Sequence, residues 1–123
     1  MAEFLYLYRG GQRGWTPEES EQIMQKWMSW FKELTASGNL KDGGQPLETE
    51  GKVVKDKGRT VTDGPYAEAK DLIGGYSLVE ADTLARATEL ARGCPILERA
   101  QLAERLHLQI VGRHDAGKTQ PLP

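Results

Sequence analysis

The sequence predicts an α+β fold, a ferredoxin-like antiparallel sheet with two helices on one face. Three observations lead there. Apolar residues alternate with a two-residue period near both ends of the chain and at its centre. Two stretches with helical periodicity and end-cap residues lie between them. The resulting order is strand, helix, two-strand hairpin, strand, helix, strand, which is the ferredoxin-like arrangement with a hairpin added.

Each element has a local reason. Glu3 to Arg9 (EFLYLYR) places Phe4, Tyr6 and Tyr8 on one face and Leu5 and Leu7 on the other. Both faces are apolar, so the strand is expected to be covered on both sides. Thr16-Pro17-Glu18-Glu19 is a capping box with proline at the first helical position: Thr16 accepts from the Glu19 amide while the Glu19 side chain reaches back. The helix that follows carries Ile23, Met24, Trp27, Met28, Trp30, Phe31 and Leu34 and stops at Ser37-Gly38-Asn39. A helix on one sheet needs only about a 100° apolar arc. This wider stripe therefore points to a second helix or a partner, with tryptophan stems lying along the surface as the competing reading.

Residues 40–51 are polar and glycine-rich, with Leu40 and Leu47 as anchors. Lys52 to Asp63 reads as a hairpin, Val53 and Val54 turning at Lys57-Gly58 and returning through Thr60 to Thr62. Gly75 to Ala81 is the next strand. Asp82 or Thr83 caps a second helix whose inner side is Leu84, Ala87, Thr88, Leu90 and Ala91, closed by Gly93 and Pro95. Glu98 to Leu106 extends as helix in this reading, and His107 to Val111 forms the last strand.

A chain of 123 residues fits one domain, here 1–113, followed by a flexible tail over 114–123. The single cysteine, Cys94, excludes an internal disulfide framework and matches a reducing compartment. It ends a helix, where the local dipole disfavours thiolate, so it reads as a core or capping residue. The N-terminus MAEFLYLYRGG has no basic region followed by a long apolar run, and no stretch approaches the ~18 apolar residues of a membrane span. A cytoplasmic protein with no membrane contact is expected. A net charge of −2 and a pI near 5.7 give no basic footprint, so nucleic acid is not an expected direct partner. Lys52, Lys55, Lys57 and Arg59 are interleaved with Glu48, Glu50, Asp56 and Asp63, the pattern of a solvated hairpin. His107 and His114 do not make a metal site, since several converging ligands are needed, and no cofactor motif is present.

The stretch TDGPYAEAKDLIGGYSLVEA, residues 62–81, is the best candidate for chemistry. Asp63 is a carboxylate held by Gly64-Pro65, and Glu68 and Lys70 follow within one or two helical turns, which suits an acid-base group with a cationic partner. The competing reading is mechanical: Asp63 caps the turn, Pro65 sets its direction, and Gly74-Gly75 lets backbones approach. Tyr6, Tyr8 and Tyr76 offer phenolic hydroxyls for a small aromatic or carbonyl compound, against a plain packing role. The loop Arg9-Gly10-Gly11-Gln12-Arg13-Gly14 precedes a helix start but lacks phosphate-loop spacing, so it reads as a connection.

VTDGPYAEAKDLIGGYSLVEA resembles the signature of the YciI-related, or DGPF-type, proteins, DGPF-x-E-x-K-x-x-x-GG-[YF], with Tyr66 in place of the usual Phe. GQPLETEGKVV before it and ARGCPILE after it resemble the larger branch of that family, so the likeness spans roughly residues 3 to 98. The resemblance implies a dimeric α+β barrel: two sheets face to face, helices outside, with Tyr6, Tyr8 and Tyr76 toward a cavity between the sheets and the helix stripe on the other side. The opposite assignment of faces stays open. The shorter branch has a proposed catalytic pair of a histidine, near the start of the first helix, and an aspartate. Here that segment reads TPEESEQI, and the pair does not carry over.

Two functions follow as expectations. One is a homodimer that binds a small organic molecule between its sheets and turns it over by cofactor-free acid-base chemistry, with Asp63 and Lys70 catalytic and Tyr6, Tyr8, Tyr76, Glu68 and Pro65 around the substrate. The alternative is a non-enzymatic, regulatory protein-interaction module, suggested by the Trp27/Trp30/Phe31 stripe and by the sigma-factor gene neighbourhoods of such proteins.

Overall fold

The computed structural model describes residues 1–10, 16–48, 50–64, 73–99 and 106–113, with the side chains at 63, 98 and 99 outside that description. Along the chain these form β1 (Ala2–Arg9), α1 (Pro17–Ala36), β2 (Leu40–Asp42), β3 (Gly51–Lys55), β4 (Thr60–Gly64), β5 (Ile73–Ala81), α2 (Leu84–Ala91), a short 3₁₀ turn (Pro95–Arg99) and β6 (His107–Gly112). The principal sheet has the order β2-β5-β1-β6, and every pairing in it is antiparallel. That is the ferredoxin-like order, with β1 and β5 central and β2 and β6 at the edges.

The capping box forms as the sequence dictates: the Glu19 amide donates to Thr16 Oγ1 at 3.1 Å, and the Thr16 amide donates to the Glu19 carboxylate at 3.2 Å. At the other end of α1, Gly38 adopts φ +79°. The Asn39 amide then reaches the Leu34 carbonyl at 2.8 Å and the Gly38 amide reaches that of Thr35 at 3.0 Å, the paired closure of a Schellman motif. Asn39 is nearly buried and exchanges two bonds of 2.7 Å with the Glu80 backbone, its side-chain amide donating to the Glu80 carbonyl and its own carbonyl accepting from the Glu80 amide. The helix end is thereby attached to β5 directly.

One face of the sheet carries both helices. Phe4, Tyr6 and Tyr8 of β1 and Val79 and Ala81 of β5 bury against Trp30 and Leu34 of α1 and Ala87 and Ala91 of α2, with Cys94, Ile96 and Leu106 closing the end. Trp30 joins three elements. It stacks on Tyr6 with ring centroids 6.1 Å apart and planes 12° apart, and its indole N–H donates to the Leu90 carbonyl at 3.3 Å.

Several expectations need correcting. The hairpin β3–β4 pairs as expected but forms a separate two-stranded sheet, and the edge strand of the main sheet is β2, which the glycine-rich segment had concealed. Leu84 and Thr88 face outward; the helix is only eight residues long and buries Ala87 and Ala91, with Leu90 half-buried. Pro95–Arg99 forms a 3₁₀ turn, and residues 100–105 of the helix expected over 98–106 lie outside the described part, as does the tail over 114–123.

Candidate functional site at the open sheet face

The face of the sheet away from the helices is built by strand parity. Residues opposite one another on an antiparallel ladder project from the same side. Glu3 pairs with Glu80, Leu5 with Leu78, and Leu7 with Tyr76 across β1 and β5; Leu5 pairs with Val111, Leu7 with Gln109, and Arg9 with His107 across β1 and β6. These side chains therefore share one surface, and it falls into three bands.

One end is ionic. Glu3 and Glu80 lie directly opposite, an arrangement that repels by itself. Lys41 relieves it, hydrogen-bonding Glu3 and standing 3.7 Å from Glu80, while Arg113 reaches the other Glu3 oxygen at 3.1 Å. The Lys41 hydrogen bond, with the Arg113 charge, holds the Glu3 carboxyl below the ordinary carboxylate range, and the same hydrogen bond raises Lys41.

The middle is apolar: Leu5, Leu7 and Leu78 are half-buried and Val111 is 41% exposed. The far end is polar and basic, with Arg9, Gln109, His107 and Tyr76. Arg9 donates from Nη1 to Gln109 Oε1 at 3.0 Å, which lays its guanidinium along the β6 side. Between β1 and β5 the register shifts at Tyr8/Arg9, so that Tyr8 faces Gly75 and Arg9 faces Ile73, leaving Gly74 as the extra residue of a bulge.

Tyr76 is held from behind. Gly44, at φ +74°, packs so closely on the Tyr76 peptide that a Cβ there would lie 1.7 Å from the Tyr76 carbonyl oxygen. Farther along, the Leu47 amide donates to the Gly74 carbonyl at 2.8 Å, and Pro46 bridges to Gly75. The segment after β2 thus clamps the edge of β5.

The three candidate tyrosines separate. Tyr6 and Tyr8 lie on the helix side, not toward an open cavity: Tyr6 is fully buried with its hydroxyl donating to the Ala87 carbonyl, and Tyr8 donates to Ser77 Oγ at 2.7 Å, which donates in turn to the Gly43 carbonyl at 2.7 Å. The cause is α1, whose Trp27 and Trp30 pack on Tyr8 and Tyr6 and fix which of two apolar strand faces the helices cover. Burial raises the Tyr6 phenol to about 12 and raises Tyr8 as well, so both hydroxyls stay protonated and hydrogen-bonded. Of these three, Tyr76 alone stands on the open face.

Asp63 pairs through its backbone with Lys52 in the hairpin, and its side chain lies outside the described residues. Pro65, Glu68 and Lys70 also lie outside them, as do residues 11–15 of the glycine-rich loop. In the sequence Arg9 reads as part of a connecting loop rather than an anion site and His107 as no metal ligand, and Gln109 is not singled out. The signal was present: Arg9 continues the parity of Leu5 and Leu7, and His107, Gln109 and Val111 alternate on β6. Among the described residues no group of three or more His, Cys, Asp or Glu could hold a metal, and no helix is long and apolar enough to cross a membrane.

Among the described residues, the strand order, with the helices on one face of the sheet and an apolar centre on the other, defines an α+β protein of ferredoxin-like topology. The YCII-related domain family matches the chain over residues 3–109, and the protein belongs to that family. No curated protein matches it. Among solved structures, it is similar to a 5-chloro-2-hydroxyhydroquinone dehydrochlorinase from Burkholderia phenoliruptrix AC1100, in complex with 2,5-dihydroxybenzoquinone, at 14% identity and a TM-score of 0.43, covering 95% of this chain and 99% of that one. It is also similar to a de novo designed protein with a ferredoxin fold, at 11% identity and a TM-score of 0.41, covering 99% of this chain and 92% of that one.

Proposed function

We infer that the protein is a homodimer whose open sheet faces pack together and enclose a cavity for a small organic molecule. The carrying observation is the open face itself. Leu5, Leu7, Leu78 and Val111 form one apolar band in the middle of a sheet whose other face is already sealed by helices. A continuous apolar band of this kind marks an interaction surface. A second copy suits it, because the band is flanked by acidic and basic groups at one end and by basic and polar groups at the other, and a two-fold axis lets both copies bury the same patch.

Acid-base turnover of the bound molecule belongs to this reading. Asp63 is the proton-handling group, Lys70 tunes its charge, and Pro65 and Glu68 shape the turn beside the substrate. The support is the sequence: a carboxylate fixed by Gly64-Pro65 with a cation close behind. Tyr76 is the substrate-contacting tyrosine in this reading, supported by its register opposite Leu7 on the face away from the helices.

Native mass spectrometry on gently purified protein tests the reading. A dimer carrying a discrete extra mass is the expected result; a monomer contradicts it.

The interaction-module reading keeps one observation in its favour. Met24 and Met28 are 58% and 65% exposed on α1, next to half-buried Trp27 and Phe31. Trp30, however, is core, and Trp27 lies against Tyr8, so much of the aromatic stripe behind that reading is used inside the chain.

A further inference from the structure

We propose that the β3–β4 hairpin is a docking arm for helix α1 of a second copy of this chain, with Val54 and Val61 on Met24 and Met28 and the basic hairpin tip over Glu18 and Glu21. This contact is separate from the open sheet face and does not rest on the reading given to that face.

The hairpin lacks cover. It forms a two-stranded sheet of its own, and among the described elements no helix and no strand of the main sheet packs extensively on it. A lone two-stranded hairpin is marginally stable in water, so apolar surface on it calls for a partner. Val54 and Val61 are direct cross-strand partners and therefore share one side, and both are exposed, at 61% and 58%. Around them the segment carries Lys52, Lys55, Lys57 and Arg59 against Asp56 and Asp63, a basic excess, with Lys57 and Arg59 exposed at the tip. Asp56 accepts from Thr60 Oγ1 at 2.7 Å, which turns its carboxylate to a role inside the turn.

Helix α1 offers the complement. Met24 and Met28 stand one turn apart and exposed, and Glu21 and Glu18, also exposed, precede Met24 by one and two turns. Lys32 lies one turn beyond Met28, so the acidic end of this face is the N-terminal one. Charge thus sets the direction of docking, tip toward the start of the helix. The spans agree. Three residues of strand from Val54 to Lys57 cover roughly 10 Å, and six residues of helix from Met24 back to Glu18 cover roughly 9 Å. Two valines on two methionines bury far less than the roughly 1,200 Å² at which stable interfaces begin, so the contact is weak. It forms in concentrated protein and leaves the mass of dilute protein unchanged.

Full-length protein labelled at its methionine methyl groups tests this by NMR from micromolar to millimolar concentration, with a melting curve for every variant. The Met24 and Met28 signals are expected to shift with concentration, and Lys57→Glu with Arg59→Glu to weaken the association about tenfold or more. Glu18→Lys with Glu21→Lys is expected to weaken it likewise. Mixing the two variants is expected to restore it, because the reversed tip then meets the reversed helix. Val61→Thr, a mild change at an exposed strand position, replaces a charge variant that fails to fold and is also expected to weaken the association. Methionine signals that ignore concentration, or that shift equally in the reversed variants, overturn the arm. The open face answers separately: a dilute monomer whose variants complement each other on mixing keeps the arm and refutes the face-to-face dimer, and a dilute dimer with unmoved methionine signals does the reverse.

Discussion

Tyr6 and Trp30 lie nearly parallel, 12° apart with ring centroids at 6.1 Å, and each spends its one polar hydrogen on a carbonyl of α2, that of Ala87 for Tyr6 and of Leu90 for Trp30. Two aromatic residues from different elements thereby hold a short third one. An eight-residue helix has little stability of its own, so α2 depends on this packing. Trp30→Ala is expected to cost about 3–5 kcal/mol and Tyr6→Phe about 0.5–1.5 kcal/mol in urea unfolding. Equal losses would show that the hydroxyl, and not the ring stack, secures the helix.

The buried phenols also set an alkaline limit. Tyr6 titrates near 12 in the folded chain and Tyr8 is raised too, against about 10 in an unfolded chain. A folded value above the unfolded one gives stability that is complete below about pH 10 and is lost as pH rises toward the folded values. Thermal midpoints are expected to fall above pH 10, and the ultraviolet tyrosinate signal of native protein is expected to show two phenols ionising late. Ionisation of Tyr6 and Tyr8 near pH 10 in folded protein would contradict the burial of these two phenols.

On the acid side the sign reverses. Glu3 is depressed, chiefly by its hydrogen bond from Lys41, so its contribution is present above the unfolded carboxylate value and disappears as pH falls through the folded one. Lys41, raised by the same bond, holds its contribution below its unfolded value and loses it as pH climbs beyond. Glu3→Gln is expected to lower the melting temperature at neutral pH and to converge with wild type in acid. The effect should be small, because Lys41 is substantially exposed. A gap that widens in acid would refute the pairing.

Two glycines with nearly the same backbone angle separate strain from crowding. Gly38 (φ +79°) has nothing within 4 Å of an added Cβ, whereas at Gly44 (φ +74°) that Cβ would overlap the Tyr76 carbonyl. Gly38→Ala is expected to cost only the left-handed penalty of about 1–2 kcal/mol, and Gly44→Ala clearly more. Gly44→Ala is also expected to disturb the Tyr76 ring signals, which Gly38→Ala should leave alone.

These same residues show what the sequence made legible. Thr16, Pro17 and Glu19 announce the start of α1, and Ser37-Gly38-Asn39 its end, because caps are local and need no tertiary partner. The hairpin turn at Asp56, Lys57 and Gly58, all with positive φ, is local in the same sense. β2 was hidden because three residues cannot display an alternation, and its pairing with β5 is a tertiary fact. Parity put Tyr6 and Tyr8 on one face, yet a strand apolar on both sides does not say which face the helices take. That choice followed from Trp27 and Trp30, and it moved two of the three candidate tyrosines into the core. Arg9 and His107 were individually visible but became neighbours only through the β1–β6 register.

For Asp63, the expected outcome of Asp63→Asn is lost turnover of the bound small molecule with a nearly unchanged melting temperature. A collapse in stability would assign the residue to the turn instead.

Pairing of the open face with a second copy of itself, the dimer proposed above, is tested most directly by light scattering on a sizing column. Wild-type protein is expected at twice the 13.7 kDa chain mass, and Leu7→Lys, which places a charge in the middle of the apolar band, at the single-chain mass with its helical signal intact. A wild-type monomer, or a Leu7→Lys variant that stays a dimer, would contradict it.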